Sequence, residues 1–150
     1  MTMPPQTRSD AGLASALRIS VSRLARRMRA QRLASGLEPG LSDTQLAALA
    51  GLERHGAMTP GELAEHEKVQ PPSMTRVVAL LEERGLVIRA PHASDRRQVV
   101  LTATEQGKEV VRQSRRLREA WLAQRLRELT PQERALLRQA APILEKLSQS

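Results

Sequence analysis

Apolar residues recur at helical spacing along most of this chain and at strand spacing in only one stretch. Leu17, Val21, Leu24 and Met28 fall four, three and four residues apart, which predicts a first helix from about residue 10 to residue 33. Its other faces hold Arg18, Arg23, Arg26, Arg27, Arg29 and Arg32. A second helix from Asp43 to about His55 buries Leu46, Leu49 and Ala50, and Gly56 stands where a left-handed cap would end it. A short third helix follows Thr59 and offers Leu63 and Ala64. Pro71 and Pro72 fit only the first turn of a helix, so a fourth begins there. Met74, Val77, Val78 and Leu81 at i, i+3, i+4 and i+7 form its core stripe; Arg76 and Ala79 then point outward, with Ser73 and Thr75 flanking. Gly85 and Leu86 suit a Schellman-type stop.

Beyond Leu86 the period shortens. Leu86 to Arg89 and Gln98 to Leu101 read as two short strands around Pro91-His92-Ala93-Ser94-Asp95-Arg96-Arg97, a β-hairpin with a basic tip. A long helix is expected from Thr102, with Val110, Ser114, Leu117 and Trp121 on one stripe and Leu122, Leu126 and Leu129 on another. Two stripes imply two partners. The last helix, from Pro131, carries Leu136, Leu137, Ala140, Leu144 and Leu147, and Pro142 inside it predicts a kink or break. At four expected helix starts a hydroxyl residue precedes Glu or Gln by three positions (Ser42/Gln45, Thr59/Glu62, Thr102/Glu105 and Thr130/Glu133), the spacing at which the two side chains cap a helix start reciprocally. Residues 1–9 read as a disordered polar tail and residues 10–150 as a single domain.

Composition narrows the class. Trp121 is the one aromatic residue, so the core must be built from Leu, Val, Ile, Met and Ala, which favours helices. With no cysteine there are no disulfides or thiolate metal sites, and a reducing compartment is expected. No apolar run approaches a membrane span and residues 1–10 lack the apolar middle of a secretory signal, so the expected location is cytoplasmic. Formal net charge is +8, and all but Lys68, Lys108 and Lys146 of the 24 basic residues are arginine. That charge points to a polyanionic partner, and the guanidinium fork suits phosphate and guanine edges. Nucleotide bias in the genome is an alternative account of the arginine-to-lysine ratio, though not of the positive charge.

The order of helix, short helix, turn, helix and basic hairpin is that of a winged helix-turn-helix. The expected architecture is mainly α with a small β-hairpin: a DNA-binding lobe over about residues 42–101, flanked by N- and C-terminal dimerisation helices over residues 10–35 and 103–148. An exposed helix face can enter the major groove of duplex DNA while a hairpin arginine reaches the minor groove. At these residues the chain resembles the multiple antibiotic resistance regulator (MarR) family, from about Asp10 to Leu147. The matching stretches are Leu63-Ala64, Ser73-Met74-Thr75-Arg76-Val77-Val78, Leu81-Glu82-Glu83-Arg84-Gly85-Leu86-Val87, Asp95-Arg96-Arg97 and Leu101-Thr102 with Gly107. The resemblance implies that Ser73, Thr75 and Arg76 contact DNA, that Asp95 braces Arg96 and Arg97, and that the first, fifth and sixth helices form an obligate dimer. Gln70 and Pro71, at the head of the fourth helix, complete the expected DNA-facing set. Pro71-Pro72 and Pro142 depart from the family pattern.

Plainer readings compete. Arg76 could pair with Glu82 or Glu83 on the surface, and Asp95 to Arg97 could be an ordinary polar turn. The arginines of the first helix and Arg112, Arg115, Arg116 and Arg118 read as a solvated face. His55, His66 and His92 lack the spacing of a metal site, and His92, Ser94 and Asp95 lack the geometry of a catalytic triad, so no enzyme activity, metal or cofactor is expected. Trp121 is either a core or interface residue or a pocket wall; by analogy with the family, Arg18, Ser22, His55, Met58 and Trp121 could line a site for a small phenolic or aromatic anion. The resulting expectation is a homodimeric repressor on a pseudo-palindromic operator in double-stranded DNA, released by such an effector. A non-specific architectural DNA-binding protein and a winged-helix protein-interaction module are the alternatives.

Overall fold

A computed structural model describes residues 7–34 and 40–150. Of the tail expected over residues 1–9, residues 1–6 lie outside the described residues. Six helices and one hairpin follow in the order α1 (Asp10–Ala34), α2 (Asp43–His55), α3 (Pro60–His66), α4 (Pro71–Glu83), β1 (Val87–Pro91), β2 (Val99–Ala103), α5 (Glu105–Arg127) and α6 (Pro131–Ser148). The chain divides into two units, residues 35–116 and residues 1–34 with 117–150, so α5 contributes to both.

The first unit holds the core. Leu49, Leu52, Leu63, Met74, Val78, Leu81, Leu86, Val87, Leu101 and Val111 are each less than 2 % or about 2 % exposed. Their stripes come from α2, α3, α4, the hairpin and the start of α5. Ser42 and Gln45 cap α2 reciprocally, with Gln45 N–H donating to Ser42 Oγ at 3.1 Å and Ser42 N–H to Gln45 Oε1 at 2.8 Å. Thr59 caps α3 through the Glu62 N–H. The hairpin is antiparallel, with Val87 opposite Ala103 and Pro91 opposite Val99. Proline is tolerated there because it sits at the strand end. Met58 adds a third short rung, since its N–H donates to Leu101 O at 3.2 Å and its carbonyl accepts from Leu101 N–H at 2.7 Å.

Two helix ends carry the turn geometry. At the end of α4, Leu86 N–H donates to Leu81 O and Gly85 N–H to Glu82 O, with Gly85 at φ 72°. This is the Schellman arrangement expected from the sequence. At the end of α3, Val69 N–H reaches Ala64 O and Lys68 N–H reaches Glu65 O, with Lys68 at φ 55°. Lysine occupies a left-handed position that glycine would fill without strain, which is why no stop signal was visible there.

Four expectations need correction. The cap of α5 is Thr104, whose Oγ1 accepts from Gly107 N–H at 3.0 Å and donates to Gly85 O at 2.7 Å. Thr102 is instead in β2 opposite Ile88; ladder pairing takes precedence over its capping spacing with Glu105. The buried stripe at the start of α5 is Gly107, Val111 and Ser114, with Val110 only partly buried. Arg32, placed on a polar face of α1, is 6 % exposed. Finally, of the kink or break expected at Pro142, the break does not occur, since α6 runs on to Ser148. The ring removes one hydrogen bond, and the Arg138 turn it would have joined is exposed, where water can serve the freed carbonyl.

In the second unit, the Arg27 guanidinium of α1 lies 5.7 Å and that of Arg125 5.9 Å from the Trp121 ring centroid. Thr130 and Glu133 cap α6 reciprocally. No residue of α6 is buried: Leu136, Leu137, Ile143, Leu144 and Leu147 all remain exposed, as do Leu13, Leu17, Ile19, Val21 and Leu24 of α1.

Candidate nucleic-acid interface

Burying Met74, Val77, Val78 and Leu81 fixes the roll of α4, and that roll leaves Pro71, Pro72, Ser73, Thr75, Arg76 and Ala79 exposed. Gln70 is the N-cap in extended conformation, exposed, and makes no side-chain capping bond. Because the first two helical residues are prolines, they bring no N–H donors to this terminus, so an approaching phosphate finds fewer amides than at an ordinary helix start. Thr75 Oγ1 donates back to Pro71 O at 3.0 Å.

Arg76 takes part in no ion pair among the described residues. Of the two acids that could pair with it, Glu82 and Glu83, Glu82 is held by Arg89 of β1, Nε to Oε1, at 2.6 Å. That pair ties the C-terminal half of α4 to the base of the hairpin. It also neutralises the one hairpin arginine that does not sit at the tip.

The tip is ordered by its own hydrogen bonds. His92 N–H donates to Gln98 O and Gln98 N–H to Asp95 O, closing residues 92–98 into a loop. Asp95 Oδ1 accepts from the Arg97 N–H at 3.0 Å. Asp95 therefore braces the main chain that carries Arg97, leaving the guanidinium free of it. A second organiser, not foreseen in sequence, is His92: its Nδ1 lies 3.2 Å from Ser94 N, 3.3 Å from Asp95 N and 3.2 Å from Ser94 Oγ. The His-x-Ser-Asp spacing in a predicted hairpin tip was the available signal. Arg96 and Arg97 are exposed, and like Arg76 they carry no ion pair among the described residues.

The structure thus sets Gln70, Pro71, Ser73, Thr75 and Arg76 on one exposed helix and Asp95, Arg96 and Arg97 on one exposed turn, within the same unit. The pocket set is divided. Arg18, Ser22 and Trp121 belong to the helical unit, and His55 and Met58 to the other. His55 is exposed with its ring 4.7 Å from that of His66, whereas Met58 is buried in the core.

Comparison with known proteins agrees with this geometry. The MarR family model matches residues 41–99, the span from the start of α2 to the hairpin. An uncharacterized HTH-type transcriptional regulator of Mycobacterium bovis is 49% identical over 136 residues, 91% of this chain and 92% of the relative. The HTH-type transcriptional repressor MdtR of Bacillus subtilis is 32% identical over 92% of this chain and 87% of its own length. The solved structure of a MarR family protein from Bacillus stearothermophilus, 24% identical, has the same fold, with a TM-score of 0.79 over 99% of this chain and 100% of that one. The winged helix-turn-helix, its exposed basic residues and these relatives agree: the chain belongs to the MarR family of DNA-binding transcriptional regulators.

Proposed function

We propose that two copies of this chain bind a pseudo-palindromic operator and repress transcription from it. The observation that carries the reading is the set of three exposed guanidiniums without an ion pair among the described residues, Arg76 on α4 and Arg96 and Arg97 on the hairpin, in a chain of net charge +8. The major groove, about 12 Å wide, admits α4 with Ser73, Thr75 and Arg76 toward base edges. Hairpin arginines suit the narrower minor groove beside it, where the negative potential is strongest. Members of the family act as dimers, and the exposed leucines of α1 and α6 supply the apolar surface that a second copy would cover. Half-sites about one helical turn apart follow, because both recognition helices must meet one face of the duplex. Repression accords with the name of the MdtR relative.

Release by a small aromatic anion completes the proposal. What favours it is Trp121, with the Arg27 and Arg125 guanidiniums both within 6 Å of its ring, an aromatic and cationic pairing suited to a carboxylate on a ring. Arg18 and Ser22, of the same unit, remain proposed further contacts. Cytoplasmic location fits a DNA-binding role, and no helix among the described residues is long and apolar enough to cross a membrane.

Selection of bound duplexes from a random pool tests the reading. An enriched inverted repeat with half-sites one turn apart is the expected outcome. Equal affinity for random duplex at every salt concentration would instead identify an architectural DNA-binding protein, and no binding at low salt a protein-interaction module.

A further inference from the structure

Resting on the reading that α4 enters the major groove, we infer that Thr75 reads thymine through its methyl group, as the centre of an apolar strip Pro72, Thr75 and Ala79, so that each half-site carries thymine where this strip lies.

The inference starts from one hydrogen bond. A threonine hydroxyl has a single proton, and that of Thr75 is spent on the Pro71 carbonyl, 3.0 Å away. The oxygen can still accept, but it has no proton for the acceptors that dominate the major-groove edges, guanine N7 and O6, adenine N7 and thymine O4. With the hydroxyl turned back along the helix, the other branch of the β-carbon, the methyl, is the part of this exposed side chain left for a partner.

Its neighbours are apolar too. Pro72 precedes Thr75 by three residues and Ala79 follows it by four, the spacings that put side chains side by side on a helix, and all three are exposed. An exposed apolar strip on a recognition helix has one specific complement in the major groove, the C5-methyl group of thymine, which no other base carries. The paired prolines strengthen the point: they bring rings and no N–H groups to the helix start, so this end offers phosphate fewer donors and bases more carbon. Arg76, exposed and adjacent, is left as the hydrogen-bonding reader of the same half-site, with guanine as its natural partner.

The test uses the full-length protein and the operator selected from a random pool. Each thymine of one half-site is replaced in turn by deoxyuridine, which deletes the methyl and leaves every hydrogen-bonding group. At one thymine or more, affinity is expected to fall about threefold to fivefold, the effect of leaving one methyl unburied. Thr75→Val, which keeps the methyl and drops the hydroxyl, is expected to bind within about twofold of wild type, and Thr75→Ser to lose the same factor as the deoxyuridine and to be blind to it. Melting temperatures of both variants serve as the folding control. Selection that enriches an operator, followed by indifference to every deoxyuridine, overturns this inference alone. So does a folded Thr75→Val protein that fails to bind, because the hydroxyl would then be the reader. Selection that enriches nothing overturns the operator reading and this inference together.

Discussion

Arg97 and Asp95 play separable parts in the wing. Arg97→Ala removes an exposed guanidinium and is expected to weaken operator binding by about 1–3 kcal/mol, measured by fluorescence anisotropy, without lowering the melting temperature. Asp95→Ala takes the acceptor from the Arg97 N–H and is expected to weaken binding while leaving the number of cations unchanged, so the salt dependence of binding should match wild type. A shallower salt slope for Asp95→Ala would show that the turn does more than hold the main chain. Glu109 offers a test of charge in a different place. Its carboxylate accepts from Arg112, 3.1 Å away, and Gln113, also at 3.1 Å, and lies 2.8 Å from Arg116; these hydrogen bonds and charges hold its pKa below the ordinary 4.5. A carboxyl whose folded pKa is lowered binds fewer protons than the unfolded chain, so its contribution is complete above the unfolded value and is lost as pH falls through the folded one. Urea denaturation should therefore show Glu109→Gln less stable than wild type near neutrality, with the difference closing below about pH 4.5.

Between elements, α5 lies tightly against the turn after α4. A β-carbon on Gly107 would press into the Leu86 carbonyl, a main-chain atom that cannot swing aside, and would stand 3.0 Å from Leu49 Cδ1. Gly107→Ala is accordingly expected to destabilise by about 1–3 kcal/mol despite alanine's better helix propensity. An unchanged thermal midpoint would mean that α5 shifts freely, and with it the seat of the wing. Thr104 joins the same contact, capping α5 while donating to Gly85 O. One hydroxyl thus secures the end of α4 to the start of α5, and the Glu82 to Arg89 pair secures α4 to β1. Exposed ion pairs contribute little stability, so the second tie matters for the angle of the wing more than for folding.

For the assembled protein, the expectation concerns α6. Leu136, Ala140, Ile143 and Leu147 recur at four, three and four residues, and the three large ones are about 60 % exposed in the single chain. Placing a charge at their centre with Ile143→Asp should shift the protein from dimer to monomer in analytical ultracentrifugation and abolish cooperative occupation of both half-sites. Helix content should persist, because α6 contributes no buried residue within one chain. A variant that stays dimeric would move the interface elsewhere.

Much of this protein is local, and local features were legible. The stripe of α4, the prolines at its start, the Gly85 stop and the polar tip between two short strands depend on near neighbours in the chain, so helix order, the winged motif and the exposure of Ser73, Thr75 and Arg76 could be read before any fold was known. What could not be read depends on competition between distant residues. Thr102 and Thr104 each offered a cap, and pairing of Thr102 with the other strand decided between them. Glu82 had two candidate basic partners, and the return of β1 gave it Arg89, leaving Arg76 without an ion pair among the described residues. Lys68 takes a left-handed turn because the packing of α3 against α4 outweighs the strain of a single residue. Periodicity encodes which face of an element is buried; which polar groups meet across the fold is settled when the chain closes on itself.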